Sequence, residues 1–223
     1  MARTRSKDYD AIKEAILDRA ADLFARKSFA ETSITEISEA SCLSKSGVYH
    51  YFKSKHDVLY AIISEYVETV LDAVGTALRS SPDPIEQFET LTLLLLKRYN
   101  ESKSRHSVLM NELECLQDNE RTRIVALERR VVEFTESIVE KIKPALAGRV
   151  KEKRPVVMLF FGMINWTYAW YEADRGVRPD QLARIASRIF INGLLATDFA
   201  DKGTKSKIPT IADEERKASL RQQ

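Results

Sequence analysis

Residues Ser33 to Leu59 read as two short helices joined by a tight turn, and the second has an outward face no core helix would carry. Ile34, Ile37 and Ala40 recur at helical spacing, so the first piece buries one face. Ser33, or Thr32, can cap its start, and Glu36 stands three residues after Ser33, the spacing of a capping box. Past the turn, Val48 and Phe52 supply the anchor, while Ser44, Lys45, Ser46, Tyr49 and His50 share the other side. Hydroxyls, an ammonium, a phenol and an imidazole on so short a helix are the groups that meet phosphates and base edges in a major groove. From Ser41 to His56 the chain holds Lys45, Lys53 and Lys55 and no acidic residue, although its overall charge is only +2. Positive charge is concentrated here, as phosphate binding requires.

The run Thr32-Ser33-Ile34, Glu36-Ile37, Leu43-Ser44-Lys45, Val48-Tyr49-His50-Tyr51-Phe52 and Ser54-Lys55 resembles the signature of the TetR family of bacterial transcriptional repressors. The likeness extends from about Ala11 to Ile63. It implies a DNA-reading surface made of Thr32, Ser33, Ser44, Lys45, Ser46, Gly47, Tyr49, His50 and Lys55, with Lys45 and Lys55 on phosphates. Arg3 and Arg5, with Lys7, form a basic stretch before the first helix. It is either a loose tail or an arm that reaches along the backbone or minor groove. Cys42 stands where the family usually places glycine, and a positive φ there costs on the order of 1 kcal/mol.

A chain of 223 residues fits one large domain or a small one joined to a larger one. The reading is an arm and helix-turn-helix over 1–54, a helical ligand-binding and dimerisation domain over 55–200, and a polar, mobile tail over 201–223. With only 7 glycines and 6 prolines, the expected class is all-α rather than a turn-rich β fold. Cys42 and Cys115 offer neither a disulfide framework nor metal-ligand spacing, which points to a reducing cytoplasm. His50, His56 and His106 show no zinc spacing, and there is no phosphate-cradling glycine loop or Gly-x-Ser-x-Gly elbow. An enzyme, a metal and a bound cofactor are therefore not expected. The apolar run Val156–Ile164 is too short to span a membrane.

Apolar periodicity predicts helices over Tyr9–Arg26, Lys55–Leu78, Ile85–Glu101, Arg105–Leu116, Asn119–Lys143, Arg154–Ala173 and Pro179–Thr197. The helix from Lys55 begins beside the reading helix and runs into the rest of the chain, as a lever would. A protein that reads a palindrome needs two reading helices about one turn of DNA apart, hence a homodimer. Phe160, Ile164, Ile185 and Ile189 give the last two helices apolar surface, and Gly193 allows close approach. The resemblance implies that these helices pair with their symmetry mates in a four-helix bundle.

Phe160 to Tyr171 combines both tryptophans with tyrosines and an amide, the mixture a pocket for a flat or elongated apolar ligand needs. Met163, Asn165, Trp166, Tyr168 and Trp170 are its expected lining, with Met110 and Leu113 as facing walls. This segment is similar to the C-terminal signature of the TetR branch that answers to acyl-CoA thioesters in fatty-acid, aromatic-acid or steroid breakdown. The implied effector is a long or aromatic acyl-CoA. Its phosphates would meet some of Arg98, Lys103, Arg105, Arg129, Arg130, Arg175 and Arg178, among which the sequence does not choose. Glu112 and Glu114 leave open a multidrug-efflux repressor that senses hydrophobic cations.

Overall fold

A computed structural model describes residues 2–173 and 176–199, with side chains described from residue 8 onward. The side chains of Arg3 and Arg5, residue Arg175 and the segment 201–223 lie outside the described residues. The chain is all-α, with no strand among the described residues. In order, α1 covers Ala2–Glu31, α2 Ile34–Ala40, α3 Lys45–Tyr51, α4 Lys55–Leu78 and α5 Pro84–Glu101. There follow α6 Lys103–Glu112, α7 Asp118–Ile142, α8 Val150–Asn165, α9 Thr167–Trp170 and α10 Pro179–Ala196. No described helix is long and apolar enough to cross a membrane.

The first three helices form a head around Ile16, Leu17, Ala20, Phe24, Ile37, Val48 and Phe52. Ser33, Ser44 and Ser54 cap α2, α3 and α4, each accepting a hydrogen bond from a backbone N–H three residues on. At α2, Glu36 returns the bond to the Ser33 N–H at 2.8 Å and also pairs with Lys27 of α1. The Lys27 ammonium, then the two Ser33 donors, hold the Glu36 carboxyl down at about 2. Beyond the head, α4 runs through the middle of the molecule and packs on α1, α5, α6 and α7, while α10 lies along α5.

Two backbone positions carry strain. Cys42 has φ 56 and closes α2 as a left-handed cap: Leu43 N–H reaches Ser38 O at 2.9 Å, and Cys42 N–H reaches Glu39 O at 3.1 Å. That agrees with the expectation from the missing glycine. Ser28, at φ 77 and ψ 159, lies in a region suited to glycine and breaks the last turn of α1 just before Phe29. Glycine at Ser28 should relieve about 1–3 kcal/mol of strain. It should also add about 0.4–1 kcal/mol of unfolded-state entropy. Ser28→Gly is thus expected to stabilise by about 1 kcal/mol and Cys42→Gly by about 0.5–1 kcal/mol. Denaturant melts of the two variants check this, and a lowered midpoint for both would contradict it.

Phe160, Ile164, Trp166 and Trp170 do not stand where the sequence places them. Phe160 and Ile164 are fully buried within the single chain. Phe160 sits between Phe88 of α5 and Phe190 of α10, at ring distances of 4.6 and 5.2 Å. The periodicity of α8 identified an apolar face correctly, but that face closes the monomer core rather than a dimer. Trp166 ends α8, and with it Trp170 is more than half exposed.

Candidate DNA-binding head and internal cavity

The α2–α3 pair presents Ser44, Lys45, Ser46, Tyr49 and His50 to solvent and buries Val48. Tyr49 is 52% exposed for a large aromatic residue with no aromatic partner among the described contacts. His50 is set by its neighbours: Tyr9 of α1 and Tyr51 stand edge-on to its ring at 6.1 and 5.3 Å. Lys45 and Lys53 are exposed and enter no ion pair among the described residues, so their ammonium groups are available to phosphates. Ser44 accepts from Gly47 N–H at 3.1 Å and lies 2.9 Å from the Ser46 hydroxyl, so its first task is the helix start. Ser33 is exposed at the start of α2.

Thr32 and Lys55 do not join this face. Thr32 is buried and donates its hydroxyl to Ser28 O at 2.8 Å, tying down the strained turn. Lys55 bends back from the start of α4 and donates to Phe29 O at 2.8 Å, Ala30 O at 3.5 Å and Thr32 O at 2.7 Å. Its ammonium also stands 4.3 Å from the centre of the Phe29 ring. An ammonium has three donors, and these carbonyls occupy them, so the phosphate role expected from the sequence is replaced by a structural one. Lys55→Met should cost about 2 kcal/mol in urea unfolding and leave the salt dependence of DNA binding unchanged. A slope reduced by about one with normal stability would restore the phosphate role.

The head is held to the body chiefly by α6. Arg105, its side chain 14% exposed, pairs with Glu14 at 2.7 Å and Asp18 at 2.8 Å on α1. Glu65 of α4 stands 4.0 Å from Arg105 and pairs with Lys13 of α1 at 2.6 Å. Ser104 donates to Asp22 at 2.6 Å, and at the far end of α6 the buried Glu112 accepts the Phe29 N–H at 3.1 Å. Glu112 therefore does not face a ligand, and Glu114 pairs with Arg121 on the surface.

On its other side α6 walls a cavity of about 220 Å³. The lining comes from Tyr66, Val67 and Val70 of α4, Tyr99 of α5, and His106, Leu109 and Met110 of α6. It is completed by Glu128, Val131 and Val132 of α7 and by Met158, Phe161 and Asn165 of α8. Of the residues expected from sequence, Met110 and Asn165 line it. Leu113 and Met163 pack against the core, and Tyr168 stands edge-on to His106 at 5.4 Å, behind the lining. Met158, Phe161 and Asn165 fall on one stripe of α8, whereas Met163 and Trp166 are turned away by the 100° step of the helix.

His106 organises the polar side. Its Nε2 faces the backbone oxygen of Asn165 at 3.2 Å, and a carbonyl only accepts, so Nε2 carries the proton. Nδ1 must then accept the Tyr66 hydroxyl proton at 3.0 Å. The Asn165 carbonyl is one of those that α8 leaves without a helical partner at its end, so the helix break at Trp166 and the histidine satisfy each other. Tyr99 stacks on the imidazole at 4.0 Å. Burial, partly opposed by the Asn165 carbonyl, lowers His106 to about 4, so it is neutral near pH 7. Burial likewise raises Tyr66, Tyr99 and Glu128. The sequence does not mark His106, Tyr66, Tyr99 or Glu128 as residues of one cavity. His106 precedes Leu109 and Met110 by three and four residues on one helix face, a spacing that could have placed it there.

Residues 16–62 match the family model described as bacterial regulatory proteins, tetR family. Residues 81–194 match that described as tetracyclin repressor-like, C-terminal domain. The chain belongs to the tetR family. A TetR-family transcriptional regulator from Bordetella parapertussis 12822 is 36% identical, covers 85% of this chain and 98% of its own, and superposes with a TM-score of 0.79. The transcriptional repressor KstR2 of Rhodococcus jostii (strain RHA1) is 23% identical over 183 residues, 80% of this chain and 89% of the relative. The structure of AibR in complex with isovaleryl coenzyme A and operator DNA has a TM-score of 0.70 at 22% identity, covering 80% of this chain and 97% of that one. As a tetR-family protein the chain is a helix-turn-helix transcriptional repressor and not an enzyme.

Proposed function

We propose that this tetR-family protein binds a pseudo-palindromic operator as a homodimer and leaves it when the acyl group of a CoA thioester fills the internal cavity. The observation that carries the proposal is that α6 serves both sites. Arg105 and Glu112 hold the head, and His106, Leu109 and Met110 wall the cavity on the same helix. An acyl group that displaces α6 or α4 changes the seating of the head, and its effect is capped by how much better it binds the DNA-incompetent arrangement. A coupling of about 1–3 kcal/mol weakens operator binding about 5–150-fold. The class of effector is supported by the isovaleryl coenzyme A complex of AibR and by similarity to the fatty acid metabolism regulator protein of Bacillus subtilis (strain 168), 20% identical over 189 residues. Control of lipid, aromatic-acid or steroid breakdown is the corresponding role. Benzene occupies an engineered cavity of about 150 Å³, so 220 Å³ holds a short, branched or single-ring acyl group, and the exposed Met110 and Met158 leave the cavity open to solvent for the rest of the ligand. Arg129 and Arg130 are exposed on the turn of α7 that carries Glu128 and enter no ion pair among the described residues. They are our candidates for the CoA phosphates.

Dimerisation is supported by the outer faces of α8 and α10. Leu159 is 74% exposed and Ile189 61%, and Ile185, Leu195 and Trp166 are exposed as well. Gly162 and Gly193 face open space, so a partner helix can approach closely. Ile189→Asp should turn a micromolar dimer into a monomer of about half the mass, because an unpaired charge is costly to bury. Light scattering that returns a monomer for the wild type would contradict the assignment.

One observation favours a second reading. Glu128 is a part-buried carboxyl among aromatic rings, with no ion pair among the described residues, and a hydrophobic cation would meet it there. A side-by-side release assay separates the two readings. Isovaleryl-, benzoyl- and phenylacetyl-CoA are expected to free labelled operator, with free CoA and ethidium inactive. Release by ethidium alone would replace the acyl-CoA proposal with the cation sensor.

A further inference from the structure

Of the three tyrosines whose rings meet His106, only Tyr99 has a hydroxyl with no partner among the described residues. Tyr66 donates to His106 Nδ1 at 3.0 Å, and the Tyr168 hydroxyl accepts from Asn111 Nδ2 at 3.4 Å. Tyr99 instead lays its ring on the imidazole, 4.0 Å away and 19° from parallel, which fixes where its hydroxyl points. That hydroxyl is not shut away by the fold. The unpartnered side-chain atoms that are fully occluded, among the described residues, are Ser41 Oγ, Gln87 Oε1 and Asn165 Oδ1. The Tyr99 oxygen therefore keeps a face on the cavity that its residue lines. Burial, and after it the Glu128 carboxyl, hold the phenol protonated, so it offers a donor near pH 7.

We infer that the Tyr99 hydroxyl donates a hydrogen bond to the carbonyl oxygen of the effector's thioester, so that Tyr99 distinguishes an acyl-CoA from free CoA. This rests on the reading that the cavity is the effector site. A carbonyl accepts and has no proton of its own to place. The uncommitted groups of the wall can meet it: besides Tyr99, the Asn165 side-chain N–H has no partner among the described residues, and burial pushes Glu128 toward its uncharged acid. Tyr99 is the best placed of these to select a ligand. Its ring is already held by the stack on His106, so little ordering is lost on binding, whereas Glu128 is part-exposed on a longer side chain. Val67, Val70, Leu109, Val131 and Phe161 make the surroundings apolar, and a hydrogen bond is stronger there than in water. The thioester carbonyl is present in every acyl-CoA, and free CoA has a bare thiol in its place.

The test compares isovaleryl-CoA with its thioether analogue S-(3-methylbutyl)-CoA, in which a methylene replaces the carbonyl. Both are titrated by calorimetry at pH 7 into the full-length wild type and Tyr99→Phe, which keeps the ring and removes only the unpartnered hydroxyl. The wild type should bind the thioester more tightly than the thioether. Tyr99→Phe should bind the thioester about five- to tenfold more weakly than the wild type does, and the thioether within about twofold of it. A thioester affinity undiminished in Tyr99→Phe, or an equal loss for both ligands, would overturn the inference. A wild type that binds the thioether as tightly as the thioester would overturn it without any variant. The proposed function fails in a different way. If neither ligand binds the wild type, that reading falls and this inference with it, whereas two ligands that bind equally and both release operator remove the inference alone.

Discussion

Lowering the pH from 7 to 4.5 should cost the protein about 2–3 kcal/mol of folding stability through His106 alone. The folded value of about 4 lies below the ordinary 6.5, so between these values the unfolded chain binds a proton that the folded chain refuses. The stability tied to the neutral imidazole is therefore fully present above about pH 6.5 and is lost as the pH falls toward 4. The physical cause is burial: a charged ring would sit between Tyr66 and Tyr99 with its Nδ1 proton aimed at a hydroxyl that is itself donating. Protonation would force Tyr66 to turn its hydrogen away. Carboxylates titrate in the same range, so the informative quantity is a difference. Urea unfolding of the wild type and His106→Gln at both pH values should show the variant less stable at pH 7 but with a drop smaller by about 2–3 kcal/mol. Parallel pH profiles would show that the histidine does not hold the proton linkage assigned to it.

The second large effect concerns the head. Replacing Tyr49 and His50 together with alanine should weaken operator binding by about 1–3 kcal/mol, roughly 5–150-fold, with far less effect on random DNA. Both side chains are exposed on the outer face of α3, and neither contributes to the core around Val48 and Phe52, so fold stability should be unchanged. Lys45→Ala should behave differently. With Lys45 on a phosphate, the substitution should lower affinity for every sequence and flatten the salt dependence by about 0.9 in the log–log slope. Anisotropy titrations at several salt concentrations separate the two patterns. An operator affinity untouched by the double variant would remove α3 from the groove.

The parts of the molecule written in local patterns were legible before the structure. The capping box at Ser33, the alternation of buried and exposed residues along α3, and the span of α4 follow from spacing within one element, and each is found as read. The positive φ at Cys42 was legible because a residue type was out of place. Ser28, under the same constraint, is not legible, and apolar periodicity ends α1 at Arg26, since nothing in Lys-Ser-Phe signals a left-handed turn. Errors concentrate where a face must choose its partner. Periodicity marks Phe160 and Ile164 as apolar but cannot say whether Phe88 of the same chain or a second copy covers them. Lys55 reads as a phosphate ligand because its real partners, the carbonyls of Phe29, Ala30 and Thr32 at and just past the end of α1, are more than twenty residues away. The aromatic run at Trp166 drew attention to composition, whereas the cavity depends on which α8 residues fall on the stripe of Met158, Phe161 and Asn165. His106 and Glu128 sit in polar stretches, and only the convergence of five helices brings them to one cavity.

The claim that occupancy of this cavity moves the head off DNA is tested most directly by filling it with a side chain. Met110 lines the cavity from α6 and is partly exposed, so Met110→Trp can occupy the space without a large change in the core. Operator affinity should be measured by anisotropy for the wild type and this variant, with and without saturating phenylacetyl-CoA. The wild type should lose about 5–150-fold in affinity on adding the thioester, and the variant should bind at that weakened affinity with or without it. An unchanged wild-type affinity, or a variant that responds as fully as the wild type, would contradict it.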